Sequence, residues 1–507
     1  MASGRDESVA VPSFAEVLRT PVFLPVFTVA TLSTWGDFIA RVTVAAVVFS
    51  WTGSALATAS TFAVSLVPSI LGRWLLSPIC DRIAPRTCLV GTHLVRAVLV
   101  AALIVVVATT RSLALVLVLV AVLEFVGGPA ITASQMLLTD IFPDPRLYAR
   151  AFGLNTLAAQ VNQAIGLALG GAIVSMLGDL QALSINLLTF VTGAAILTVV
   201  KPPRSVVRGE DVPLLSLLSD LGEGWREIRR SRVLTYMLML SLASALAIAA
   251  PEAVALPYAA QHSTSSTWGG FLMASPILGA VVGLLLIGRL PAERQSALVL
   301  RLALLTPLPL LVTIVEPPLP VVWAAWFACG ALQCYMLPLQ SAFTLLVPTA
   351  LRGRVFGLAG ALSVGVTGMC FLFAGWVSER TTPAASVGIG AVVTLGILVL
   401  LAARWPTAEL AGTVEATFTG DEDAPPGVHD LEARDDLDPR DDLDPRHELD
   451  RRHELDRRHE LDVLDDLEVR DGDRPDRPAT SPLVTAPDEP RPQTVPDARR
   501  SEAEPGG

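Results

Sequence analysis

The chain is poor in the residues that most enzymes use. Of its six histidines only two, His93 and His262, lie before residue 408, too few for a haem-rich redox carrier. No G-x4-G-K-[ST] loop occurs, which excludes ATP hydrolysis through that phosphate cradle. There is no H-E-x-x-H, and no nucleophile elbow of the G-x-S-x-G type in a suitable setting. The chain therefore reads as a non-enzyme that needs no metal or other cofactor. Its five cysteines, Cys80, Cys88, Cys329, Cys334 and Cys370, all fall within or beside apolar runs, so no disulfide framework is expected. The N-terminus lacks a short apolar core followed by a small-residue cleavage site, so residues 1–20 read as a cytoplasmic leader. Charged residues make up 17% of the chain, against about a quarter in ordinary soluble domains.

What replaces them is hydrocarbon. Hydrophobic residues are 52% of the 507 and the mean hydropathy is +0.55. Apolar runs long enough to cross about 30 Å of lipid as helix recur up to residue 405. Since backbone in lipid must satisfy its own hydrogen bonds, an all-α polytopic membrane protein is expected. Twelve spans are predicted: 24–50, 56–79, 88–109, 113–138, 151–177, 181–200, 233–256, 268–288, 296–315, 319–347, 355–378 and 384–404. With the N-terminus inside, eighteen Arg and Lys fall in inner segments and only Arg111 and Arg380 in outer ones. The positive-inside rule then places both termini in the cytoplasm.

Net charge divides the chain as sharply. Residues 1–407 hold 24 Arg and Lys against 18 Asp and Glu; residues 408–507 hold 13 against 30. The mildly basic body shows no stripe for nucleic acid. The acidic end contains five hexapeptides at 434–463, RDDLDP twice and then RHELDR, RHELDR and RHELDV. Leucines six apart step 240° around a helix and build no seam, so residues 406–507 read as a disordered cytoplasmic tail.

The body repeats itself. Pro129 and Ala133 precede Arg150-Ala-Phe-Gly153, with Gly171 eighteen residues beyond; Pro338 and Ala342 precede Arg354-Val-Phe-Gly357, with Gly375 again eighteen beyond. Pro68 stands 13 before Asp81 and 18 before Arg86, as Pro276 does before Arg289 and Arg294. Residues 21–200 and 233–405 are thus expected to form two pseudo-symmetric six-helix bundles, joined by 201–232 with an amphipathic surface helix, LLSLLSDLGEGWREIRR. Repeats of this kind accompany alternating access.

Here the sequence resembles the major facilitator superfamily over about residues 15–405. The family's loop after span two reads roughly G-x-x-x-D-R-x-G-R-R; Asp81, Arg82 and Arg86 keep its aspartate and two arginines, while Ser77 and Ala84 replace its glycines. The resemblance implies a cytoplasmic gate at Asp81, Arg82 and Arg86, with Arg289 and Arg294 as second-half counterparts. The stretches STWGDFIARVTVAAVVFSWTGSALA and PAITASQMLLTDIFPDPRLYARAFGLN are similar to the macrolide-efflux and siderophore-exporter branch. Span five carries Gly153, Gly166, Gly170 and Gly171 of the family's antiporter pattern, with Asn162 and Leu167 departing from it. The same glycines equally suit close helix packing.

Ionisable residues at bilayer depth are functional candidates because each is costly there. Asp37 and Arg41 are four apart on one face and so able to pair; Glu124 lies at similar depth in span four. The resemblance puts spans one and four on a central cavity, making Asp37 and Glu124 candidates for proton coupling and Arg41 their countercharge. A structural ion pair is the competing reading. Glu252 reads as an interface residue at the outer end of span seven, and Arg96 and Arg301 as side chains snorkelling to the cytoplasmic surface. The expectation is a monomeric secondary transporter in a bacterial plasma membrane, exporting small, largely apolar drug-, macrolide- or siderophore-like compounds in exchange for protons. An importer, or a sensor or scaffold signalling through the acidic tail, is the alternative.

Overall fold

The computed structural model describes residues 14–200, 214–262, 265–348 and 351–405. Most of the leader, residues 201–213 of the linker and the whole tail with its hexapeptides lie outside them. The described chain is entirely helical. A short α1 (Phe14–Leu18) precedes six long helices: α2 (Phe23–Thr52), α3 (Ala55–Arg82), α4 (Pro85–Thr109), α5 (Leu113–Ile141), α6 (Pro145–Leu177) and α7 (Asp179–Val199). The linker helix α8 (Leu214–Arg230) follows, then α9 (Arg232–Gln261), α10 (Ser266–Ile287), α11 (Ala292–Leu305), α12 (Leu319–Leu332), α13 (Met336–Leu346), α14 (Arg352–Arg380) and α15 (Pro383–Ala402). Twelve segments are long and apolar enough to cross a membrane. The ninth bends after Pro307 into a 3-10 turn at Pro309–Val315, and the tenth is broken at Gln333–Tyr335 between α12 and α13.

Connections are short because the caps are encoded at the breaks. Ser112, Asp144, Ser231 and Thr382 each accept a backbone N–H of the following first turn, and Pro145 and Pro383 open their helices. Pro129, Pro251 and Pro276 sit inside helices that continue through them.

The helices form two six-span bundles. In the first, α3 packs on α5, α2 on α6 and α7, and α4 on α5 and α7; in the second, α10 packs on α12, and α9 on α14 and α15. Each bundle has a crossing that only glycine allows: Gly72 and Gly128 join α3 to α5, as Gly279 and Gly330 join α10 to α12. A Cβ at any of the four would collide with the facing backbone.

The bundles meet mainly along α6–α10 and α3–α14, and close contacts between them cluster toward one end. Ser175 bonds Thr267 at 2.6 Å, Ser54 bonds Glu379, and the rings of Phe62 and Phe371 stack 5.4 Å apart. Toward the other end, which carries the arginine-rich connections, Val67, Leu71 and Leu75 of α3 are exposed, and Gly357, Gly360 and Gly365 of α14 have open space beside them. The seam is sealed at one end and open at the arginine-rich end.

Candidate functional site

Two ion pairs bridge three helices of the first bundle, and they are not the pair expected from spacing. Asp37 of α2 receives both ends of the Arg96 guanidinium of α4, at 3.0 and 3.1 Å. Arg41, one turn on, instead reaches Glu124 of α5 at 3.3 Å. The i,i+4 spacing of Asp37 and Arg41 puts both on one face, but each finds its partner across a helix boundary. A fork-to-fork contact offers Arg96 two parallel bonds, which a neighbour on the same helix does not match.

Arg96 is also not a snorkelling residue. It is 7% exposed and its guanidinium lies 4.4 Å from the centre of the Phe190 ring on α7. The reason is register: α4 begins at Pro85, three residues before the expected span start. Arg96 therefore lies eleven residues in, about 16 Å along the helix. Proline's preference for the first helical position was the signal that would have placed it. Arg301, by contrast, is exposed.

The pairs border a small, partly open cleft lined by Asp37, Arg41, Thr61, Ser65, Leu123 and Glu124 among others. Asp37, Arg41 and Glu124 border the cleft, with side-chain exposures of 28%, 24% and 19%, and only Arg96, at 9%, anchors behind it. The site is therefore graded by contact: a bidentate pair and a single-contact pair, each with its carboxylate on the cleft.

The span-five positions behave mainly as packing surfaces. A Cβ on Gly166 would come within 2.7 Å of Phe38, and one on Gly170 within 3.1 Å of Ile39. Gly171 meets Gly270 of the other bundle, while Gly153 has nothing within 4 Å. Asn162, which stands where the family pattern has glycine, accepts from the Trp35 indole at 3.0 Å and donates to Thr31 at 3.2 Å. It ties α6 to α2 by hydrogen bonds at the one point where the small residue is missing.

Of the loop residues, Arg86 donates to the carbonyls of Leu197, at 2.7 Å, and Thr198, closing the last turn of α7. Arg82 is exposed, and the side chain of Asp81 lies outside the described residues. Arg289 and Arg294 are exposed at the same end of the second bundle. Glu252 lies nine residues inside the end of α9 and is half-buried, deeper than an interface position.

Twelve spans in two pseudo-symmetric bundles, sealed at one end around charged residues at mid-span depth, define a multi-pass membrane transporter fold. The sequence pattern of the Major Facilitator Superfamily matches residues 26–366, and the chain belongs to that superfamily. Among solved structures it is similar to the nucleoside transporter NupG, with a TM-score of 0.59 at 11% identity, covering 76% of this chain and 99% of that one. It is similar to the peptide transporter POT in complex with sulfate, at 0.59 and 14% over 79% and 97% of the two chains. A bacterial homolog of the human lysosomal transporter Spinster, inward-facing and unoccupied, gives 0.55 and 15% over 82% and 100%. These likenesses define the fold. No curated protein matches the sequence.

Proposed function

We propose that the chain is a secondary active exporter that moves small, largely apolar molecules across a bacterial plasma membrane by alternating access, in exchange for protons. The observation that carries this reading is the graded pair of ion pairs. Glu124 is held by one contact at the edge of a cleft, where a proton can reach it, and its neutralisation would release Arg41. Asp37, gripped by both ends of Arg96, is the more tightly held carboxylate. Proton arrival at Glu124 thus converts one charge into a rearrangement of α2 against α5.

The excess of arginine in the connections at the open end makes that end cytoplasmic by the positive-inside rule, with both termini there. The described state is then inward-open, the state in which an exporter loads from the cytoplasm. Asp81, Arg82 and Arg86, with Arg289 and Arg294 opposite, belong to the end that must close in the other half of the cycle. The stripe of branch-like sequence through α2, α5 and α6 favours efflux of drug-, macrolide- or siderophore-like molecules. Residues 406–507, outside the described set, are dispensable for flux in this reading.

The test is efflux from inverted vesicles under an imposed pH gradient, after a susceptibility and accumulation screen has supplied a substrate. Export that collapses with the gradient and survives removal of residues 408–507 supports the reading. Unchanged pH-driven flux in both Glu124→Gln and Asp37→Asn sinks the coupling assignment. Loss of all phenotype with the tail alone would point to a scaffold.

A further inference from the structure

Helices α3 and α14 run in opposite directions along their seam and meet at three levels. The rings of Phe62 and Phe371 stack 5.4 Å apart. Four residues along α14, Gly375 brings its backbone against α3, where a Cβ would lie 2.9 Å from Leu56 and 2.7 Å from Ala59. Four residues further, on the same face of the helix, Glu379 reaches the start of α3. One oxygen of its carboxylate accepts from the Ser54 hydroxyl and, at 3.3 Å, from the Leu56 backbone N–H. The Ser54 hydroxyl in turn accepts from the Ala57 N–H at 2.9 Å. The first N–H groups of a helix have no partner within it. Here a side chain of the second bundle completes the cap on a helix of the first.

The α6–α10 seam follows the same plan with one difference. Gly171 meets Gly270, and Ser175, four residues on, bonds Thr267 in the first turn of α10 at 2.6 Å. Gly171 and Gly375 are equivalent positions of the repeat, so Ser175 and Glu379 are equivalent as well. One seam thus closes on two neutral hydroxyls, the other on a carboxylate set at the positive end of a helix dipole. Nothing nearby in the sequence of the first bundle competes for that carboxylate, since α2 and α3 carry no charged residue between Arg41 and Arg73. Arg380, its neighbour, is turned to the Trp376 ring, 4.1 Å from the ring centre.

We propose that Glu379 is a positioning residue of the transport cycle, a charged latch that holds α14 to the first turn of α3 and so favours the state sealed at this end. Alternating access moves the two bundles largely as rigid bodies. Loss of the latch therefore loosens the α6–α10 seam together with its own, although Glu379 belongs to only one of them. The equilibrium shifts toward states open at this end by as much as the latch favours the sealed one. Calling this end the outer one rests on the exporter reading above; the latch depends neither on cargo nor on direction.

The test is hydrogen exchange, read by mass spectrometry on the purified full-length protein in detergent. Glu379→Ala should speed exchange about fivefold, as for loss of a helix cap, in residues 55–59 of α3. A similar factor is expected over residues 266–274 of α10, on the other seam. Glu379→Gln keeps an oxygen in place without the charge and should give a smaller rise at both seams. Arg380→Ala should leave both unchanged. A rise confined to α3 makes Glu379 a local cap and overturns the latch, as does unchanged exchange at both seams; either Glu379 variant decides this alone. Exchange requires neither substrate nor flux. A protein that shows the two-seam response but exports nothing defeats the exporter reading and leaves the latch standing, and the reverse result does the opposite.

Discussion

Gly171 of α6 and Gly270 of α10 face each other backbone to backbone: a Cβ built on either would lie 2.9 Å from the other's Cα. The contact joins the two bundles at the sealed end, beside Ser266, whose hydroxyl donates to the Gly171 carbonyl at 3.3 Å. Its pseudo-symmetric twin is Gly375 of α14, where a Cβ would come within 2.9 Å of Leu56 and 2.7 Å of Ala59 on α3. Both glycines stand eighteen residues beyond the first glycine of their repeat. The repeat read in sequence is thus a pair of equivalent seals.

A side chain at Gly171 or Gly270 holds the bundles apart. Gly171→Leu is expected to disfavour the described state and raise thiol labelling of an Ala274→Cys reporter, because Ala274, one turn on from Gly270, is buried while the seal is made. Gly153→Ala, with open space around it, should change neither labelling nor flux. Equal labelling in Gly171→Leu and Gly153→Ala would show that the seal does not depend on close approach.

Removing the Asp37 carboxylate leaves the Arg96 guanidinium buried without its countercharge. Asp37→Asn should lower stability by about 3 kcal/mol, the low end for breaking a buried pair, since the Asp37 side chain is 28% exposed. Thermal unfolding in detergent reads the loss. The double variant Asp37→Asn, Arg96→Leu should regain much of it, because the stranded charge is then gone.

Glu124→Gln should behave differently. Its pair with Arg41 is a single contact between partly exposed groups, so a cost of about 1 kcal/mol or less is expected. The larger effect is on coupling: pH-driven efflux should be lost while exchange of substrate down its own gradient persists. Loss of both in a well-folded protein would assign Glu124 to substrate binding or packing instead.

The fold was legible because lipid imposes a length and arginine an orientation, and neither needs side-chain detail. The twelve apolar runs, the linker helix and the repeat all follow from that. The site was half legible. Asp37, Arg41 and Glu124 stood out as charges among hydrocarbon, but their partners are set by helices that touch only in three dimensions. Arg96 was misplaced by three residues of register at Pro85, enough to turn a mid-span anchor into an apparent surface residue. Glu252 was misread because a chain position near a span's end says nothing about which face is open. Its half-buried state depends on the helices packed around α9, which residue spacing does not reveal.

The loop motif divides along the same line. Among the described residues, Arg86 hydrogen-bonds within its own bundle, holding the carbonyls of Leu197 and Thr198 that end α7. Helix ends leave such carbonyls without partners, and a cation there also meets the negative end of the helix dipole. Arg86→Ala is therefore expected to cost about 1.5 kcal/mol or more, as for hydrogen bonds to a charged donor, and to fray α7 in hydrogen exchange. Lysine should recover only part, since it lacks the fork that reaches both carbonyls. If Arg86→Ala instead leaves unfolding and α7 exchange unchanged while flux stops, the residue acts on the moving boundary between bundles and the capping role is wrong.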